Sequence, residues 1–350
     1  GTGGLTKNGS NTVTLSGNNT YSGATTINAG TLTISGAGQL GGGNYTGNIV
    51  SAGTFNYASS ANQTLGGIIS GNGALTKDGA SNLTLTGVNT YTGATTITAG
   101  TITIGGAGQL GSGNYSGNIS NSGRLVYASS ANQTLGGTIS GNGGLTKSGN
   151  GTLTLSHANT YNGSTTINAG TLSVTAANGL GATTEVTIDG GSLLVAASNA
   201  INDTADITMG NNGTLVLSGS VGEVVGQFSL TTNNTAIIDM GYTASWISFW
   251  KFASELSDDT KLWIYNYTVG SDHVYIRDDT SGNVAASLPN ITFYSDFGQT
   301  SLGNGFFDAP ELHSHIVPEP ETYATAVLLL MGLGIYAYRR RRPTLEGSGV

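Results

Sequence analysis

The sequence predicts an all-β chain: a parallel β-helix (solenoid) with a C-terminal β cap, followed by a single C-terminal transmembrane helix. Three observations predict it. Segments recur at an offset of 70 positions, short stretches of alternating polarity recur at close and regular intervals, and an uncharged run near the C-terminus ends in four arginines. Composition agrees. The 350 residues include 57 Gly, 37% are hydrophobic and only 9% are charged. That is too few charges for a charge-driven disordered chain and enough apolar surface for a core.

The 70-residue repeat comes first. Leu5-Thr6-Lys7 recurs as Leu75-Thr76-Lys77 and Leu145-Thr146-Lys147, and Asn19-Thr20-Tyr21 as Asn89-Thr90-Tyr91 and Asn159-Thr160-Tyr161. Tyr57 to Leu65 recurs identically as Tyr127 to Leu135. The units are residues 1–70, 71–140 and a partial copy at 141–175. Such periods mark repeat architectures, whose units bury their apolar faces on one another.

Within the units, strand-like tetrads start at Thr12, Thr31, Thr54, Asn82, Thr101, Arg124, Thr152 and Thr171, and continue at Ser192, Thr214 and Thr235. Successive starts differ by 19, 23 and 28 in the repeats, then by 19, 21, 22 and 21. Most tetrads of the repeats alternate a small polar residue with an apolar one, as a strand with one buried face does. Gly and Asn before them supply turns, since both accept positive φ. Read as one tetrad per coil, residues 1–241 make roughly eleven coils and a rod on the order of 50 Å long.

The stretch Leu75-Thr76-Lys77-Asp78-Gly79, Leu83-Thr84-Leu85-Thr86-Gly87, Asn89-Thr90-Tyr91-Thr92-Gly93-Ala94-Thr95-Thr96-Ile97 and Ala99-Gly100-Thr101-Ile102 resembles the autotransporter-associated β-strand repeat. The resemblance implies a right-handed β-helix of the kind found in secreted passengers and adhesins. It departs from that pattern in one respect. A true autotransporter ends in a membrane β-barrel, and only about 110 residues follow the last clear coil, so export is expected by another route.

Residues 242–309 differ in composition. Trp246, Trp250 and Trp263 fall close together, and strands are expected at Trp263-Ile264-Tyr265-Asn266-Tyr267, His273-Val274-Tyr275-Ile276-Arg277 and Ile291-Thr292-Phe293-Tyr294. A solenoid must seal its end against strand addition, and bulky aromatics suit a cap. The alternative is a carbohydrate-binding platform of stacked aromatics, which is weighed below the cap because aromatic clusters are more often core.

The tail completes the chain. Residues 310–322 form a linker containing Pro318-Glu319-Pro320, residues 323–338 an apolar helix, and residues 339–350 a basic end beginning Arg339-Arg340-Arg341-Arg342. Sixteen residues are short for a span of roughly 20, but interfacial Tyr and snorkelling Arg tolerate that. The arginines place that end in the cytoplasm and residues 1–316 across the membrane. The three parts in this order resemble the PEP-CTERM sorting signal, and Gly270-Ser271-Asp272 resembles a segment common in such proteins. The resemblance implies an exosortase-like processing protease, an exopolysaccharide-making Gram-negative bacterium, and a tail that is removed. A chain with this tail is expected to carry an export leader. Gly1-Thr2-Gly3-Gly4 is not one, so the chain is read as a fragment or a processed form.

Other chemistries find little support. Without residues 318–350 the body carries 7 Lys+Arg against 16 Asp+Glu, which argues against nucleic acid or anionic lipid as partner. There is no Cys, hence no disulfide and no thiolate metal site. Gly36 to Gly41 and Gly106 to Gly111 spell GxGxxG but lack the acidic residue a dinucleotide site needs, and are read as turns. Asp272-His273, His313-Ser314-His315, Asp258-Asp259 and Asp278-Asp279 have no diagnostic metal spacing. Residues 1–180 hold one acid, Asp78, which leaves no catalytic pair along the repeats. No catalytic residue, cofactor or metal is therefore expected. The reading is an exported structural or adhesive rod whose Thr and Asn rows contact exopolysaccharide. The alternative is a polysaccharide-acting enzyme using acids of residues 185–311.

Overall fold

Alternating small polar and apolar residues make a strand with one inward face, and all eleven expected tetrads are strands. Thr12–Leu15, Thr31–Ile34, Thr54–Tyr57 and Asn82–Leu85 keep the expected bounds, while Thr101–Gly106 and Arg124–Ser129 run further. Their inward residues are buried: Leu83, Leu85, Ile102 and Ile104 are at most 1% exposed. The computed structural model describes residues 1–231, 234–252, 259–268, 271–276, 290–295, 301–308 and 311–314. Across them the chain is a parallel β-solenoid of about 12 turns with almost no helix.

Each turn has three faces, and tracing the pairing along them changes the meaning of the repeat. On the first face Leu5–Lys7 pairs with Thr25–Ile27, then Ile49–Ser51, then Ile69–Ser70. On the second, Thr12–Leu15 pairs with Thr31–Ile34, Thr54–Tyr57 and Ala74–Lys77. On the third, Asn44–Tyr45 pairs with Gln63–Leu65, Asn82–Leu85, Thr101–Gly106, Arg124–Ser129 and Gly144–Lys147. Leu5, Leu75 and Leu145 are the same residue of successive units, yet they lie on the first, second and third faces.

One 70-residue unit thus advances three turns plus one face. The eleven tetrads do not form one stack with one tetrad per coil. Those at Thr12, Thr31 and Thr54 lie on the second face, those at Asn82, Thr101 and Arg124 on the third, and those from Thr152 to Thr235 on the first. The long intervals, from Thr54 to Asn82 and from Arg124 to Thr152, are where the motif steps to the next face. Successive copies are displaced by about 16 Å along the axis, at roughly 4.8 Å per turn.

Parallel rungs continue beyond residue 242. Gly222–Leu230 pairs with Trp246–Phe252 and that strand with His273–Ile276, while Thr235–Asp239 pairs with Lys261–Tyr265 and that strand with Ile291–Tyr294. The edges of the last rungs are taken by antiparallel strands, Ser301–Asp308 on Ile291–Tyr294 and Glu311–Ser314 on His273–Ile276. Paired edges are protected against further strand addition.

The core carries two recurring polar devices. In the second unit the Tyr91 hydroxyl bonds Thr95 Oγ1 at 2.7 Å, Thr95 bonds the Tyr115 hydroxyl at 2.8 Å, and Tyr115 donates to Gly93 O at 2.5 Å. The first unit has the same chain through Tyr21, Thr25 and Tyr45. In the third, Thr183 Oγ1 donates to Gly163 O at 2.8 Å, replacing the second tyrosine. Buried hydroxyls stay satisfied this way, as burial requires.

The second device is an inward lysine at the end of a strand. Lys7, Lys77 and Lys147 donate to Gly9, Gly79 and Gly149 carbonyls, and Lys147 also to Ala169 O at 2.9 Å. Lys77 and Lys147 lie 5.7 and 5.8 Å from the ring centroids of Tyr57 and Tyr127, one turn back. Burial lowers both pKa values, that of Lys147 to about 8.

The tyrosine chain sets a strict demand on Gly117. A Cβ there would stand 2.6 Å from Tyr115 Cζ and from its hydroxyl oxygen. Gly117→Val is expected to lower the unfolding free energy by about 1–3 kcal/mol through overpacking. Gly136→Ala, whose nearest neighbour would be 3.7 Å away, is expected to stay within ~0.5 kcal/mol of the parent. Urea melts followed by circular dichroism measure both.

Candidate functional surface

Residues that alternate with the inward row face outward and stack into columns, because parallel strands keep one register. On the third face one column runs Thr64, Thr84, Thr103, Val126, Thr146, Thr166, Thr187, Thr208 and Ser229. Neighbours bond along it and beside it. Thr208 Oγ1 lies 2.9 Å from Ser229 Oγ, Thr103 donates to Asn82 Oδ1 at 3.0 Å, and Arg124 covers Thr146 with two bonds to its hydroxyl. The column offers methyl and hydroxyl groups at the turn spacing and almost no charge.

Paired Thr-x-Thr positions do not build one broad plane, because each unit turns them to another face. Thr12/Thr14 and Thr31/Thr33 lie on the second face, Thr101/Thr103 on the third, and Thr152/Thr154 on the first. The Thr rows named from sequence are therefore a display wound around the rod.

The buried acids serve the backbone. Glu223 is fully buried, and its two carboxylate oxygens accept from Ala200 N at 2.9 Å and Ile201 N at 3.2 Å. Gln63 and Gln133 hold the equivalent post, each accepting from a leucine N–H one turn back. Burial raises the Glu223 pKa to about 7, against the lowering pull of the two N–H bonds; Asp203 adds a small upward push. Asp272 is 1% exposed and accepts from Ser245 N at 2.9 Å and Thr268 N at 2.6 Å. Its oxygens close a turn, while neighbouring His273 stacks on Tyr275 with centroids 5.5 Å apart. No group of three His, Asp or Glu side chains converges among the described residues. The glycine-rich hexads enter short turns, Gly41–Gly43 and Gly111–Gly113, followed by strands Asn44–Tyr45 and Asn114–Tyr115, so neither has the helix a dinucleotide needs.

The tryptophans divide between two faces. Trp263 packs edge-on against Tyr265 and Tyr294 at 6.2 and 6.3 Å on the first face, and those tyrosines stack at 4.8 Å. Trp246 and Trp250 are 38% and 50% exposed on the outer side of one strand. Inside the last rungs the fillers are smaller rings: Phe228 against Phe249 at 4.7 Å and Tyr267 against Phe293 at 4.8 Å. Sequence alone grouped the three tryptophans as one cluster. Separating them required the register, which puts Trp246 opposite Gly222 and Trp263 opposite Ile237. Pro318, Glu319, Pro320, the helix of residues 323–338 and Arg339, Arg340, Arg341 and Arg342 lie outside the described residues, and no helix among the described residues is long and apolar enough to cross a membrane.

A neutral side chain suffices at residues 63 and 133, so the charge of Glu223 is a burden on the fold. The neutral acid is favoured in the folded state up to pH of about 7, while the unfolded group ionises near 4.5. Between those values the folded chain binds more protons, so stability falls as pH rises, by roughly 3 kcal/mol in all. Glu223→Gln is expected to remove most of that slope. Urea midpoints at pH 5 and pH 8 for both proteins measure it.

The model of the passenger-associated-transport-repeat family matches three segments of the chain, residues 5–34, 75–104 and 145–174. Each begins on a different face, with Leu5, Leu75 and Leu145 as the first inward residues. No curated protein and no solved structure matches the chain.

Proposed function

We propose that this chain is the exported body of a bacterial surface protein, a non-catalytic rod that adheres to or spaces exopolysaccharide. Passenger-type repeats wound on a β-solenoid fit a surface-exposed rod, and that combination carries the reading. The described sides present hydroxyls and amides with few charges, a surface suited to a neutral or hydroxyl-rich matrix and poorly suited to nucleic acid. Two of the acids of residues 185–311, Glu223 and Asp272, are buried and accept from backbone N–H groups.

Sorting by the tail is the second half of the proposal. Residues 323–338 hold the precursor in the inner membrane, Arg339 to Arg342 fix its orientation, and an exosortase-like protease cuts at Pro318-Glu319-Pro320. The mature protein is then released to the cell surface or matrix. Mass spectrometry of protein recovered from the surface or medium is expected to find a C-terminus near Pro320. An intact basic end on that material overturns the processing step. Replacing Arg339–Arg342 by Ala is expected to leave unprocessed chain in the membrane fraction.

A further inference from the structure

Trp246 and Trp250 lie on the outer side of the strand Trp246–Phe252, whose inward residues Ile247 and Phe249 are at most 1% exposed. They stand no more than about 13 Å apart, the extended length of four residues. The register sets Gly222 opposite Trp246 one rung back. A Cβ on Gly222 would meet Trp246 Cε2, Nε1 and Cζ2 at 2.3 to 2.5 Å, so the indole rests on bare backbone. His273 lies opposite Trp246 in the following rung and Tyr275 opposite Ser248, with their rings stacked at 18°.

We propose that this strip is a saccharide-stacking site that takes a pyranose chain laid along the strand Trp246–Phe252. Three features select that ligand. The large exposed groups on the strip are indoles, with an imidazole and a phenol beside them, a mixture of apolar face and polar edge that suits a sugar ring. The glycine under Trp246 removes the side chain that would tilt the indole away from the surface. The net charge of −8 repels anionic lipid, the other surface that collects exposed tryptophan. The site gives the adhesive reading above a location and rests on it only for biological context, since binding is read on purified protein.

The test uses the full purified chain and three probes: hydroxyethylcellulose, xylan and dextran, each cast in a native gel. Retardation by at least one is expected. Trp246→Ala is expected to weaken it at least 10-fold and Trp246→Ala/Trp250→Ala to abolish it. Trp263→Phe, on another face, is expected to leave it unchanged. Oxidation of tryptophan by N-bromosuccinimide gives a second readout on the parent protein, in which the retained polysaccharide protects Trp246 and Trp250. No retardation by any probe, or retardation unchanged in the double variant, overturns the proposal. If the double variant does not fold, absence of protection overturns it instead. A failure here leaves surface location and tail processing untouched, because those are read by fractionation and mass spectrometry.

Discussion

Edge-to-edge pairing of each turn on the one before governs this molecule, because almost every buried side chain owes its burial to the neighbouring turn. The repeats provide a direct comparison. Leu75, Leu83, Leu85 and Tyr91 are at most 1% exposed, with turns on both sides. Their counterparts on the first turn are Leu5, Val13, Leu15 and Tyr21, of which Val13 is 41% exposed and the others only partly buried. Apart from Val13 in place of Leu83 the residues are identical, so the missing neighbour accounts for the difference. Nearest-neighbour interfaces, and no long-range core, hold such an array together.

The same constraint explains why a 70-residue repeat tolerates being out of step with the solenoid turn. What a rung needs is an apolar residue facing inward and a partner in register, and all three faces ask for that. Leu75 therefore takes on the second face the place that Leu5 takes on the first. Special residues obey the rule too. Lys7, Lys77 and Lys147 each end a strand and bond the carbonyl of the glycine at the corner that follows, on a different face every time. A repeat confined to one face would be needed only if that face alone touched a partner. The wound display of Thr-x-Thr pairs shows that the units themselves impose no such preference.

Much of this is legible in the residue order. Alternation located every tetrad strand, since period-two burial is written directly into residue order. Phase was not legible. The interval from Thr54 to Asn82 read as one long coil, because a strand of two residues such as Ile69–Ser70 leaves no alternating signature. The roles of Glu223 and Asp272 were equally hidden. Both fall among the acids of residues 185–311 that the enzyme alternative draws on, and only the corner geometry shows their oxygens turned onto backbone N–H groups. Gln63 and Gln133 held the clue, since they do the same work with an amide, but the spacing from residue 133 to 223 is not a multiple of 70.

Replacement of an amide by an acid at that post also bears on where a rod of this kind tolerates chemistry. In the first two units the polar interior is neutral or cationic: Tyr and Thr hydroxyls bond one another, while glutamines and lysines bond backbone groups. Beyond residue 180 the units lose strict identity and acids enter the interior. The turns also lengthen, from Leu75 opposite Thr95 in the repeats to Trp246 opposite His273 near the end. Longer turns add corner residues, and each corner adds backbone N–H groups that a carboxylate can accept. The exposed tryptophans Trp246 and Trp250 fall in this stretch, and Gly222 stands opposite Trp246. Regular units therefore supply length, while the irregular rungs near the end supply the side-chain variety that the proposed saccharide site draws on.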